Sequence, residues 1–251
     1  MITVLYDWLS SAYRKSRPSP PSALINYVVN LAPARDYAWD CGTGNGQVAV
    51  ALASHFKRVI ATDIARKQLA RAKRRCNIEY RLAPAAQSSI PDRSVDLIVA
   101  GQAAHWFAHD DFFSEINRVS RPGAVVAFWC YRTPQVAPDI DELIEALYWS
   151  PRLAEHWPPG KAFVDREYRD LPFPFREIQP PQFTMVGERW AWARFEKYIR
   201  TWPAIHSLAT TRNGANCIKQ AMAGLARVWG GWGQRRDLQW KLALRVGFVA
   251  D

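Results

Sequence analysis

Two acids and three glycines carry the first chemistry in this chain. Asp40 closes an apolar run, Gly42, Gly44 and Gly46 follow at alternate positions, and a helical pattern begins at Gln47. Glycines so spaced let a strand turn sharply into a helix and bring bare backbone against a ligand. A dinucleotide-binding loop would place its third glycine at position 47, which here is Gln47. A carboxylate at Asp40 would repel a pyrophosphate but suits an ammonium group, while the adjoining helix N-terminus favours a carboxylate. Asp63 lies about twenty residues beyond the glycines, at the end of the next apolar run, where an acid can accept hydrogen bonds from both ribose hydroxyls. Ile64 beside it can lie on an adenine ring, and the loop "APAAQ", with Ala85 and Ala86, closes the other side. Thr43 and Gly101 complete this set. A ligand with an amino-acid end and a nucleoside end meets these demands, and S-adenosylmethionine is such a molecule.

A second group points to an acceptor for a methyl group. Gln102, His105 and Trp106 follow a fourth apolar run, at the edge of an open parallel sheet where ligands bind. Gln102 and His105 are the candidate catalytic residues. His105 can hold an anion or take a proton from a hydroxyl or amine, or it can be a structural histidine. Trp106 reads as a pocket wall. Arg14, Arg17, Arg132 and Arg200 are candidates for clamping a carboxylate, and Tyr13, Trp202 and His206 for lining the lid. Trp190, Trp192, Phe195 and Tyr198 fall at mixed helical spacings and predict core packing.

These residues need strands and helices in alternation to position them. "DYAWDC", "RVIATD", "IEYRLA", "VDLIVAG" and "AVVAFWC" read as five strands, separated by helical patterns that include a basic helix over 65–75. Asp110 or Asp111 can cap the helix carrying Phe112, Ile116 and Val119, and "RPG" turns it into the fifth strand. The expected fold is α/β, a doubly wound, mostly parallel sheet. One domain spans 1–251: an N-terminal helical lid segment at 1–35, a cofactor-binding core at 36–131, an inserted cap at 132–174, and the remainder of the sheet with helices at 175–251. In that last part "FREIQPPQFTMV" predicts a sixth strand region, "ERWAWARFEKYIRTW" and "NGANCIKQAMAGLARVW" helices, and "LQWKLALRVGFVA" a long final strand.

The sequence resembles the class I S-adenosylmethionine-dependent methyltransferases, and within them the group of trans-aconitate methyltransferase and its "methyltransferase type 11" relatives. The resemblance rests on "WDCGTGNGQ", "ATDIARKQLARA", "IPDRSVDLIVAGQAAHWF", "EINRVSRPGAVVAFW", "YIRTWPA" and "LQWKLALRVG", which together span nearly the whole chain. It implies a Rossmann-like, seven-stranded sheet with the last strand antiparallel, helices over the cofactor edge, and methyl transfer. Two positions depart from the family pattern. Ala86 stands where members often carry an acid, so adenine recognition there rests on backbone and packing. The family's Arg-Pro-x-Tyr-Pro is here "RPSPP", with Pro20 in place of the aromatic residue.

Composition narrows the partners. The formal charge of +10 admits nucleic acid, an anionic membrane or an acidic small molecule. Charges are scattered apart from "RKQLARAKRR", which an exposed helix face explains. Enzymes that methylate base amino groups usually carry Asn/Asp-Pro-Pro-Tyr/Phe after strand four, and this chain has "GQAAHWF", which argues against nucleic acid. Cys41, Cys76, Cys130 and Cys217 form no Cys-x-x-Cys pair, so neither a metal site nor a disulfide framework is expected. No apolar stretch approaches about 18 residues, and no basic start precedes an apolar core, so a cytoplasmic protein without a membrane partner is expected. The leading expectation is methyl transfer to a small molecule, with a carboxylate or a hydroxyl, amine or carbon as nucleophile. A cofactor-binding protein without transfer activity remains a separate reading, and the oligomeric state is not written in these residues.

Overall fold

The computed structural model describes residues 17–231 and 233–250. Its centre is the apolar run "VDLIVAG", which forms strand β4 (Val95–Gly101), buried along nearly its whole length because helices cover both faces of the sheet. Around it lie β1 (Tyr37–Cys41), β2 (Arg58–Asp63), β3 (Ile78–Leu82) and β5 (Ser120–Tyr131), all parallel, in the order β3-β2-β1-β4-β5. Side chains alternate across the strands. Ala38, Leu97, Val99 and Val125 face one core, shared with helix α1 (Ser22–Leu31) and helix α2 (Gln47–Leu52). Trp39, Ile98, Ala100 and Phe128 face the other, beneath Phe112 and Ile116 of α4 (Asp110–Val119).

The last strand, β8 (Arg235–Phe248), runs antiparallel to β5 from Leu242 opposite Tyr131 to Phe248 opposite Val125. Its outer edge is shared by two strands, β6 (Arg176–Ile178) and β7 (Phe183–Ala191). The described residues therefore hold eight strands, one more than the resemblance implies. Pro180 and Pro181 account for the split, since neither can donate a ladder hydrogen bond.

Other departures from the sequence reading have local causes. The basic run yields only a short helix, α3 (Arg66–Leu69). No acid within 65–75 offers an i,i+4 partner, and its six cations repel one another. β7 runs on to Ala191, so helix α8 (Trp192–Ile199) begins late, after a register shift between Gly187 and Trp190. β5 starts at Ser120, ahead of the "RPG" segment, because a bulge opposite Val95–Leu97 absorbs Pro122 and Gly123 within the strand. His109, not Asp110 or Asp111, takes the cap position of α4; the two acids lie in the first turn, where they face the positive end of the helix.

Between β5 and β6 the chain forms α5 (Pro138–Tyr148), α6 (Pro151–Ala154) and α7 (Lys161–Asp165). Beyond α8 come α9 (Pro203–Ala209) and α10 (Gly214–Trp229). Here Trp190, Trp192, Trp229 and Trp240 pack as core. Phe195 stacks on Trp229 at 4.8 Å between centroids, Trp190 and Trp240 approach to 5.3 Å, and the Trp240 indole donates to the Tyr198 hydroxyl at 3.1 Å. No described helix is long and apolar enough to cross a membrane.

Candidate active site

The parallel strands β1, β2 and β4 end together at one edge of the sheet, and a cavity of about 270 Å³ opens there. Asp40, Gly42, Thr43, Gly44, Asp63, Ile64, Ala85, Ala86 and Gly101 all line it. Gly42 has φ +68°, and a methyl group on it would lie 2.7 Å from Cβ of Ala103. Gly46, φ +82°, does not line the cavity; it starts α2 beneath the Tyr80 ring, and a side chain there would collide with the Tyr80 hydroxyl. Its part is to shape the turn, a correction to its assignment as a cofactor contact.

Asp40 is 1 % exposed and serves the loop directly. Its Oδ2 accepts from the Thr43 hydroxyl at 2.5 Å and from the Ala49 backbone N–H at 2.9 Å. Burial pushes its carboxyl up to about 7, against the opposing pull of those two hydrogen bonds. A buried carboxyl so placed is poised for a cation. Thr43 spends its hydroxyl on Asp40, so its role is to hold the acid. Asp63 is fixed in the same manner: Oδ2 accepts from Gly44 N–H at 2.7 Å and Oδ1 from Ala65 N–H at 2.8 Å. A carboxylate offers about four acceptor sites in all, the chemistry that ligand hydroxyls require. Asn45, 4 % exposed on the cavity wall, carries a buried side-chain N–H₂ with no acceptor among the described residues. A buried donor left unmatched is costly, and a ligand carboxylate or ring nitrogen would satisfy it. The glycine cradle, the raised carboxyl and this donor fit the amino-acid end and the nucleoside of S-adenosylmethionine.

A smaller chamber of about 80 Å³ adjoins the first, and Arg17, Gln102, Trp106 and Tyr131 line both. Arg17 bridges the elements around it, donating through Nε to Thr201 Oγ1 at 3.1 Å and through a terminal nitrogen to the Tyr131 hydroxyl at 3.3 Å. Arg132 and Trp202 line only the second chamber, with Lys161, Tyr148 and Trp157. Arg132 is paired with Glu145 at 3.3 Å.

Several expectations change here. Arg200 pairs with Glu196 on the exposed side of α8 and lines neither chamber, because its place on the helix turns it away from the acceptor side. His206 likewise lines neither. Gln102, at φ +55°, uses its amide as a strand would, Nε2 donating to the Tyr131 carbonyl at 3.0 Å and Oε1 accepting from Tyr131 N–H at 2.8 Å. It thereby extends the β4–β5 pairing past the strand end and positions Tyr131. His105 Nδ1 lies 2.7 Å from the Tyr168 hydroxyl, and desolvation pulls the imidazole down to about 3. Desolvation thus favours the neutral ring, which weakens it as a cationic anchor and as a base. Tyr13 and Arg14 lie outside the described residues.

Sequence reasoning missed Asn45, Tyr131, Tyr148, Trp157 and Lys161. Asn45 sat inside "GTGNGQ" and could have been found there as the one polar side chain of the loop besides Thr43. Tyr148 lies on the buried face of α5 with Ile140 and Ile144, which marks it as inward but not as chamber lining, and the others come from the irregular region and the end of β5, where no period indicates which way a side chain faces.

Comparison with known proteins agrees with this geometry. A family model described as a methyltransferase domain matches residues 39–128. A candidate methyltransferase of Dictyostelium discoideum is 30% identical over 204 residues, 76% of this chain and 78% of that protein. A solved candidate type II methyltransferase from Anaeromyxobacter dehalogenans is 38% identical, with a TM-score of 0.84 over 94% of this chain and 99% of that one. An Anabaena variabilis protein of 18% identity, TM-score 0.56, covering 90% of this chain and 98% of its own, shares the fold. The chain belongs to the class I S-adenosylmethionine-dependent methyltransferases, and S-adenosylmethionine is its cofactor.

Proposed function

We propose that the protein transfers the methyl group to the carboxylate of a small organic acid seated in the second chamber. One observation carries this reading. Among the described residues, Arg17, Arg132 and Lys161 line that chamber, no Asp or Glu does, and desolvation disfavours a charge on its histidine. An acceptor that must lose a proton needs a base nearby. A carboxylate is already anionic and needs only cations and donors to hold it.

In this reading Asp40 takes the ammonium of the cofactor, Asn45 a polar atom of its amino-acid end, and Asp63 the ribose hydroxyls. Ile64, Ala85 and Ala86 pack on the adenine. The bound cofactor supplies an electrophilic methyl carbon on a sulfonium. Arg17, shared by both chambers, holds the acid's carboxylate at the boundary, and Tyr131, fixed by Gln102, sets the depth to which it enters. Trp106 and Trp202 exclude water. A carboxylate oxygen held at Arg17 would accept that methyl group, leaving S-adenosylhomocysteine. The anionic and cationic charges cancel, and no proton moves. The chamber's small volume favours a metabolite over a nucleic acid.

The test is methyl transfer from labelled cofactor to a panel of carboxylic acids, phenols, amines and RNA, followed by mild alkali. Methyl esters release labelled methanol under alkali, whereas ethers, amines and carbon-methylated products keep the label. Alkali-stable product alone would overturn the carboxylate reading.

A further inference from the structure

The walls of the second chamber say more about the acceptor than its charge does. Six aromatic side chains face it, Trp106, Tyr131, Tyr148, Trp157, Tyr198 and Trp202, against only Val164 and two prolines among apolar aliphatic groups. Three of the rings form one cluster, Tyr148 lying 4.9 Å from Trp157 and 5.3 Å from Trp202 between centroids. Such surfaces favour another ring over a saturated group of equal size, because stacked and edge-on arrangements add to the area term.

The chamber also has two ends. Arg17, Gln102, Trp106 and Tyr131 mark the end that meets the cofactor cavity. Lys161, Tyr148 and Trp157 line the second chamber and not the cofactor cavity, which sets them apart from the shared end. Lys161 is held there by what surrounds it. Its ammonium lies 4.3 Å from the Tyr148 ring centroid, 4.1 Å from Trp149 and 5.2 Å from Trp157. It is ion-paired with Asp165, which also accepts from the Tyr148 hydroxyl at 2.6 Å. An ammonium has three donors, and Lys161 lines the chamber beside these partners. Near it, Arg132 Nε is buried with no acceptor among the described residues.

We propose that the acid is a single-ring aryl carboxylate: carboxylate at Arg17, ring among the aromatic walls, and an oxygen substituent across the ring on Lys161, which acts as the specificity-determining residue. This rests on the carboxylate reading for the position of the methylated group, but the preference for a ring stands on the walls themselves.

Calorimetric titrations with saturating S-adenosylhomocysteine test it, using benzoate, cyclohexanecarboxylate, 4-hydroxybenzoate and 4-(aminomethyl)benzoate as probes. Benzoate should bind about tenfold more tightly than cyclohexanecarboxylate. The 4-hydroxyl should add about fivefold, and the cationic aminomethyl group should weaken binding. In the charge-balanced Lys161→Met/Asp165→Asn variant the hydroxyl preference should vanish while the ring preference remains. Equal binding of benzoate and cyclohexanecarboxylate, or no binding of any aryl acid, overturns the ring. A hydroxyl preference that survives in the variant, or tight binding of the aminomethyl probe to the unmodified protein, overturns the role of Lys161. Labelled transfer on the same probes separates the two readings. Alkali-stable product from an aryl acid sinks only the carboxylate assignment, and esters formed solely from cyclohexanecarboxylate sink only the aryl assignment.

Discussion

Cofactor affinity should depend on pH through Asp40. Its carboxyl is raised from 3.8 to about 7, chiefly by burial, with the nearby Asp63 charge adding to it. Ionising it in the protein before the cofactor arrives is therefore about 4 kcal/mol harder than in water. An ammonium beside it restores the ionised form, so binding below neutrality must release a proton. Affinity should rise about tenfold per pH unit from roughly pH 5 to roughly pH 7 and level off above that. Calorimetric titration with S-adenosylhomocysteine at pH 6, in two buffers of different ionisation enthalpy, should detect release of nearly one proton per molecule bound. Asp40's own contribution to the stability of the free protein should run the opposite way. Because its folded-state value lies above the unfolded one, that contribution is fullest below about pH 4 and declines as pH rises to about 7. Asp40→Asn keeps an oxygen for Thr43 and Ala49. It should melt higher than the parent at pH 8, by up to about 4 kcal/mol, while losing cofactor affinity. Affinity unchanged from pH 5.5 to 8, with no proton released, would refute the reasoning.

Three further outcomes are expected. Gly46→Ala places a side chain at φ +82° against the Tyr80 hydroxyl and should cost about 2 kcal/mol in thermal unfolding; full stability would mean that Tyr80 moves aside freely. Since the His105 imidazole sits at about 3, kcat should show no acid limb near pH 6.5, and a limb there that disappears in His105→Gln would restore the histidine as a base. Arg200→Ala should change neither turnover nor acceptor KM, because its partner is Glu196 on the surface, and stability should stay within about 0.5 kcal/mol.

The cofactor half of the site was legible because it is local. Asp40, the glycines and Asp63 are held by their own neighbours in the chain and by adjacent parallel strands, so spacing alone predicts that they converge at one sheet edge. Even there, the sequence did not show that Thr43 and Ala49 hold Asp40, or that Gly46 serves the turn rather than the ligand. The acceptor half was read in part. Arg17, Arg132, Trp106 and Trp202 do line the second chamber, whereas Arg200 and His206 do not.

That difference has a single physical origin. A parallel βαβ pattern repeats with a period that the apolar residues record, and its strand ends are set by hydrogen-bond register. The sequence by itself therefore determined the doubly wound sheet, the loop geometry and the class of cofactor. The second chamber is assembled from β5, the irregular stretch before α7, and the turn between α8 and α9, segments far apart in the chain and without a period. Only tertiary packing decided that Lys161 would lie among Tyr148, Trp149 and Trp157, that burial would disfavour a charge on His105, and that Pro180 and Pro181 would divide one expected strand into two along β8.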